Sequence, residues 1–397
     1  MREEVMFTSE SVTEGHPDKL CDQISDAVVD QFLIQDPYAR IRVECAVSSA
    51  ILFIAANFAS IAKVDLAHAA RKIIKQIGYD QLDFNPSGCS ILTAPKALPI
   101  DKSYAFSTQA LTDAEIDRIP AKNQVTLFGF ACNQSPMLMP LPIYLAHHLA
   151  RQLAEVRKQL ILPYLSPDGK VQVGITYRDG LPYRVHSVTV TAHQLEIRKP
   201  GIRALRSDIR EAVILPVLER EGMPVNRRTR IHVNPDGLHL GGPTLHSGLS
   251  GRKNAIDTYG EYSRHSGKAL SGKDPMRIDR IGAYAARHAA KNIVAAGLAD
   301  QCEVMLSYSI GQTKPVSLQV STYGTGKIPD NALSQMAVRH FDFRLAGILK
   351  RFDLRRLPAS RPGGFFRQLA AYGHFGRTDL DLPWEATDKA EALEGEI

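Results

Sequence analysis

Val171-Gln172-Val173-Gly174-Ile175-Thr176-Tyr177 alternates apolar and polar residues, turns at Asp179-Gly180, and comes back through Val188, Val190 and Ala192. Period-two alternation puts one set of side chains on one face of a strand, and an Asp-Gly pair closes a hairpin. The pattern occurs twice more. One copy starts at Ile41, runs through Val43, Cys45 and Val47, and returns from Ile51 to Phe58. The other starts at Cys302, runs through Val304, Leu306, Tyr308 and Ile310, and returns through Val316, Leu318 and Val320. The starts at 41, 171 and 302 are 130 and 131 residues apart in a chain of 397.

Helix-period segments precede the hairpins at about 17–33, 142–158 and 279–297, and others follow at about 64–77, 207–220 and 330–349. Asp279 reads as an N-cap and Gly297 as a C-terminal stop. The expected fold class is α+β: three pseudo-repeated α-β-β-α units, each packing one apolar sheet face onto a shared core. No Gly/Ser-rich linker separates the units, which are expected at 4–100, 118–237 and 238–380.

Hydrophobic content of 44% and charged content of 23% are those of an ordinary globular protein. The net charge of +6 suits an anionic small substrate, and without a dense Lys/Arg run or an RNA-type aromatic motif no nucleic-acid partner is expected. Five widely separated cysteines with no CxxC pair read as reduced core residues. With no apolar leader and no membrane-length apolar run, a cytoplasmic location and no membrane partner are expected.

Chemistry concentrates first in Glu14-Gly15-His16-Pro17-Asp18-Lys19. Pro17 suits a first helical turn that Leu20, Ile24, Val28 and Phe32 continue, so His16 and Asp18 sit where a helix attracts anions. Residues 267–274 nearly match a Walker A loop, but Asp274 replaces the magnesium-binding hydroxyl and no apolar strand leads in. What remains is a glycine-flexed loop bearing Lys273, with Arg277 close behind. Arg252-Lys253 and the turn Pro167-Asp168-Gly169-Lys170 add further charge. Together Lys170, Arg252, Lys253, Lys273 and Arg277, with Asp18 and Asp279 as oxygen ligands for magnesium, suit a polyphosphate.

At this point the chain resembles the S-adenosylmethionine synthase (methionine adenosyltransferase) family. The matching stretches are 7–19, 128–133 (Phe128-Gly129-Phe130-Ala131-Cys132-Asn133), 248–253, 271–275, 283–300 and 370–377, from end to end of the chain. The resemblance implies three similar units about a pseudo-threefold axis, in a homodimer or homotetramer with active sites between subunits. It implies a transferase of S-adenosylmethionine biosynthesis: a thioether amino acid, methionine, attacks C5′ of ATP, and the released triphosphate is cleaved to pyrophosphate and phosphate. By the same resemblance His16 stabilises the bond-breaking oxygen, with Lys170 and Lys273 also catalytic. Asp168, Lys170, Arg252, Lys253, Ala269, Lys273 and Arg277 hold the nucleotide, Asp18 and Asp279 bind two magnesium ions, and Glu44 binds potassium.

The other half of the family pattern is altered. A Gly-Gly-Glu that contacts methionine reads Ala55-Ala56-Asn57, a glycine-rich segment reads Pro120 to Val125 with Asn123 for an Asp, and His246 stands for another Asp. Leu238-His239 replaces the aromatic residue under the nucleobase, Ala97-Leu98 replaces a Gln, and Arg277 replaces a Lys. A buried ammonium needs a counter-charge, so Asn57, Asn123, His246 and Arg277 form an altered nucleophile pocket. Two alternatives follow: a homologue joining another nucleoside triphosphate or another thioether, and a non-catalytic or triphosphate-cleaving partner subunit. Residues 101–124 are expected to form a mobile lid, stiffened at its end by Pro120.

Overall fold

The computed structural model describes residues 4–80, 84–196 and 199–396. Among these described residues eleven strands fall in order: β1 (Glu4–Val12), β2 (Arg40–Ser48), β3 (Ile51–Ala59), β4 (Ser90–Ala97), β5 (Val125–Cys132), β6 (Leu165–Arg178), β7 (Leu181–Gln194), β8 (Arg230–Val233), β9 (Gly248–Leu249), β10 (Gln301–Tyr308) and β11 (Ser317–Ser321). The three expected hairpins are β2–β3, β6–β7 and β10–β11, each antiparallel.

Each hairpin sits in its own sheet, and each sheet borrows a strand from another third of the chain. The sheets run β4-β3-β2-β9, β1-β6-β7-β8 and β11-β10-β5. The N-terminal strand β1 thus completes the central sheet, β5 completes the C-terminal sheet, and β9 completes the N-terminal sheet. This closed cycle of exchange explains why no linker is visible in the sequence: no third of the chain closes its sheet alone.

One long helix covers each sheet. Pro17–Gln35 packs on β2 and β9, Leu141–Lys158 on β6 and β1, and Ile278–Ala295 on β5 and β10. The first and third of these are buried on almost every side, as expected of helices enclosed in a core rather than lying on a surface. Ile41, Val43, Cys45 and Val47 of β2 are buried while Arg42 and Glu44 point outward, as the period-two alternation requires.

Three details differ from the expectation. Asp279 is not the N-cap of the third long helix; Arg277 holds that position, and the Asp279 carboxylate turns to other side chains. The helix expected over 330–349 is two, Asp330–His340 and Leu345–Phe352. Asp342 breaks it by accepting the Arg344 amide at 2.9 Å, a local side-chain bond that competes with helix continuation. The helix expected at 207–220 begins earlier, at Ile202, and passes through a π turn at Arg210–Ile214. No helix among the described residues is long and apolar enough to cross a membrane.

Candidate active site

Asp18, Asp22, Asp26 and Asp30 recur every fourth residue along the first long helix and so form one stripe, all of it buried. Like charges at this spacing disfavour a helix, and a buried carboxylate without partners is costlier still. The C-terminal third supplies the partners as backbone N–H groups. Leu249 donates to Asp18 at 3.0 Å, Gly251 to Asp22 at 2.8 Å and Gly272 to Asp26 at 2.8 Å. Phe366 and Arg367 both donate to Asp30 at 2.9 Å. Loops 248–253 and 271–273, both carrying candidate residues, therefore hang from a single helix. Its apolar positions alone identify the helix in the sequence; the four-residue repeat of Asp is the signal that sequence reasoning missed.

The first group of site residues gathers at the start of that helix. His16 is its N-cap, with Nδ1 accepting the Asp18 amide at 3.2 Å. Burial pushes the imidazole down to about 3, so the ring is neutral and its proton sits on Nε2. The Thr13 amide donates to Gly169 at 3.0 Å and its hydroxyl to Pro167 at 2.7 Å, which brings the turn carrying Asp168 and Lys170 beside His16. Asp168 is buried; it accepts the Gly242 amide at 2.9 Å and lies 2.6 Å from Nε2 of His246 and 3.1 Å from Nδ1 of His193. Burial alone would raise its carboxyl, but the imidazoles of His193 and His246 outweigh burial and hold it well below the usual range. His246 also packs against His16, ring centroids 5.1 Å apart. Lys170 is exposed on β6 opposite Val12, Arg252 lies 3.6 Å from Asp18, and Lys253 reaches Glu10 at 3.2 Å.

A second group surrounds the loop at Gly272. The Val43 amide donates to Gly272 at 2.8 Å, and a Cβ there would collide with that strand's carbonyl, so the close approach requires glycine. Lys273 pairs with Asp279, which also accepts from Asn123 at 3.2 Å. Burial lowers the Lys273 ammonium; Asp279 is pushed up by burial but pulled further down by Lys273, so the pair stays ionic. Arg42, Glu44, Ala269 and Lys273 line a cavity of about 250 Å³. Arg277 is half-exposed, 3.9 Å from Asp274.

Among the described residues no hydrogen bond or ion pair joins the side chains of the first group to those of the second. Asp18 and Asp279 belong to different groups. Asn57 and Glu44 stand on the outward face of the N-terminal sheet, where Ile51, Phe53, Leu92 and Leu249 are also exposed. Leu238 packs against the core; His239 is bound to Asp236 at 2.9 Å and sits beside His193. The free lid expected at 101–124 is not what the structure holds. Short helices at Lys102–Tyr104, Thr108–Ala110 and Asp113–Ile116 dock on the C-terminal third. Arg355 donates to Phe106 at 2.9 Å and Lys350 to Leu111 at 2.7 Å, while Ala121 donates to Gln312 at 2.9 Å. These bonds use backbone groups of the segment, with Gln109 and Asp113 adding side-chain bonds to Lys350 and Arg344. His193, Arg42 and Arg280 were missed, since each reads as an ordinary strand or helix residue.

Models of the S-adenosylmethionine synthetase N-terminal, central and C-terminal domains match residues 4–97, 118–239 and 240–386. The chain belongs to this family. It is 49% identical to the S-adenosylmethionine synthase of Crocosphaera subtropica, over 99% of this chain and 98% of that protein. It is 48% identical to that of Synechococcus elongatus, over 100% and 98% of the two chains. With Rippkaea orientalis the figures are 47%, 99% and 96%. The family assignment makes the chain a transferase, and the α+β class with three repeated units stands.

Proposed function

We propose that the chain joins ATP and L-methionine to give S-adenosylmethionine and then cleaves the released triphosphate to pyrophosphate and phosphate. The observation that carries this reading is the convergence of His16, Asp18, Asp168, Lys170 and Arg252 at one helix N-terminus, in a chain whose relatives bear that enzyme's name. The sulfur lone pair forms the S–C5′ bond while the C5′–O bond breaks, its electron pair leaving on the triphosphate oxygen. A neutral sulfur is a weak nucleophile, so the barrier falls through orientation and through stabilising charge on the leaving group. The His16 tautomer suits that role, because a neutral Nε2–H, fixed by the Asp18 amide, donates to the departing oxygen without titrating near neutral pH. Lys170, Arg252 and Lys253 hold the phosphates on this side, and Lys273, Ala269 and Arg277 on the other. Methionine would be held by Arg277 and the Asn57, Asn123 and His246 positions, and the base by Leu238 and His239.

Asp18 and Asp279 offer hard carboxylate oxygens, a donor set that fits magnesium, and Glu44 does the same for potassium. Bound magnesium would neutralise charge building on the triphosphate. No side-chain bond joins the two groups within one chain among the described residues, and we take each site to draw one group from each of two subunits of a homo-oligomer; the exposed apolar face bearing Asn57 is consistent with such a contact. A cytoplasmic location and units at 4–100, 118–237 and 238–380 complete the reading. The test is incubation with ATP, methionine, Mg2+ and K+, read by mass spectrometry. A methionine sulfonium and three phosphates in the form of pyrophosphate and phosphate are expected; triphosphate cleavage without a sulfonium overturns the transfer reading.

A further inference from the structure

His16, Asp168 and His246 each present one ligating atom, and these atoms lie within 4.8 Å of one another. They arrive from three directions: the N-cap of the first helix, the first residues of β6, and the loop before β9. Asp168 is 1% exposed, yet its Oδ1 has no hydrogen-bond partner among the described residues. Its other oxygen, Oδ2, is 3.1 Å from Nδ1 of His193 and 2.6 Å from Nε2 of His246. A buried carboxylate oxygen without a partner, within a cluster of imidazoles, points to a ligand there.

We infer that His16, Asp168 and His246, with His193 beside them, form a binding site for a divalent transition metal of the zinc class, separate from the magnesium-binding carboxylates. Two imidazoles and one carboxylate are the donors of three-ligand zinc sites, whereas magnesium prefers oxygen alone. With bonds of about 2.0–2.1 Å, tetrahedral ligands sit roughly 3.3 Å apart. The present spacings, 2.6 Å for Asp168 to His246 and up to 4.8 Å for the rest, converge on that value by side-chain rotation. For Nε2 to ligate, the His16 ring must carry its proton on Nδ1 and give up the Asp18 amide bond, so metal ligation and donation to the leaving oxygen are alternative states of one ring. The fourth position falls to His193 or to a water. His246 is what makes the set: an Asp at this position, as the family pattern has it, would leave one imidazole. An ion here occupies the ground assigned to the nucleotide, a consequence that rests on the proposed function; the binding itself does not.

The experiment titrates Co2+ into the full-length, metal-stripped protein in excess Mg2+, which keeps the carboxylate sites filled, and reads the visible absorption bands. Zn2+ is then added to displace the cobalt, and the zinc-loaded sample is examined by X-ray absorption. One Co2+ per chain with tetrahedral bands, and imidazole scattering around zinc, is expected. His246→Asp and Asp168→Asn should each weaken Co2+ binding by about 10–100-fold or more, with circular dichroism establishing that the variants are folded. His246→Asn serves if His246→Asp is not. Unchanged binding in these variants, loss of the bands in Asp279→Asn instead, or an oxygen-only shell around zinc overturns the inference.

Discussion

Arg280 and Asp26 are both fully buried and joined by two bonds of 2.7 and 2.9 Å. The same guanidinium donates to the Lys273 carbonyl at 2.9 Å and the Tyr284 hydroxyl at 3.0 Å, and stacks on Phe366. Asp26 in turn accepts the Gly272 amide. Replacing Arg280 by Met keeps much of the volume but strands the Asp26 carboxylate, and breaking one side of a buried pair costs about 3–5 kcal/mol. With an unfolding entropy of about 2.1 cal/mol/K per residue, a 397-residue chain that unfolds as one shifts by about 1.2 °C per kcal/mol, so the thermal midpoint should fall by roughly 4–6 °C. Burial already pushes the Asp26 carboxyl up, so without Arg280 it takes up a proton readily. The deficit of Arg280→Met should therefore shrink as pH falls, because a neutral acid needs no counter-charge. The double variant Asp26→Asn/Arg280→Met removes both charges and should lose clearly less than the sum of the single losses. Thermal melts of the four proteins at pH 5 and 8, with turnover measured alongside, complete the cycle. Turnover should stay low in the double variant, because Lys273 has lost the contact that fixes its backbone. Single losses that simply add, or an Arg280→Met deficit independent of pH, would refute the reasoning.

Replacing Asp18 or Lys273 with Ala should lower magnesium-dependent turnover on the order of a hundredfold or more, since one lost contact to developing charge costs about 3–4 kcal/mol; an unchanged rate would remove both from the site. Burial raises the Asp30 carboxyl to about 7 from 3.8, so between those values the folded state binds more protons than the unfolded state, and stability should decline as pH rises from about 4 to 7. Asp30→Asn should flatten that part of a melting-temperature profile, and a profile identical to the parent's would contradict the assignment. Lys350→Ala and Arg355→Ala release the segment containing Phe106 and Leu111, and should speed its proteolysis and amide exchange without unfolding the three sheets; equal protection in the variants would mean these bonds do not hold it.

The hairpins were legible because alternation is local: each strand of β2–β3 or β6–β7 shows its buried face in its own residues. The strand exchange was not, because nothing in Glu4–Val12 says that its partner is β6 rather than β2. The site divides the same way. His16, Asp18, Asp168 and Lys273 lie in compact motifs whose residue types announce their chemistry. His193 lies in β7 as one more alternating position and acquires a role only because β6 places Asp168 beside it. Residues 101–124 mislead because a polar composition is shared by free loops and by segments whose polar groups bind a neighbouring helix; only the tertiary partners Lys350 and Arg355 distinguish them.

The aspartate stripe joins the fold to the site. A carboxylate repeated every four residues is a poor way to stabilise a helix, and four buried ones would be ruinous without donors. Each finds them in a segment more than two hundred residues away, and Asp18 and Asp26 hold loops of the two different site groups. The donors are the Leu249 amide of the short strand β9, the loop amides of Gly251 and Gly272, and the Phe366 and Arg367 amides of the first turn of the short helix Phe366–Leu369, so each bond satisfies both partners at once. Geometry follows from this. Residues 18 and 26 are eight positions apart on one rigid helix, which at about 1.5 Å per residue sets the two loops roughly 12 Å apart along its axis. A shift of either loop must break a bond to a buried carboxylate, so the helix acts as the ruler that fixes the position of Arg252 relative to Lys273.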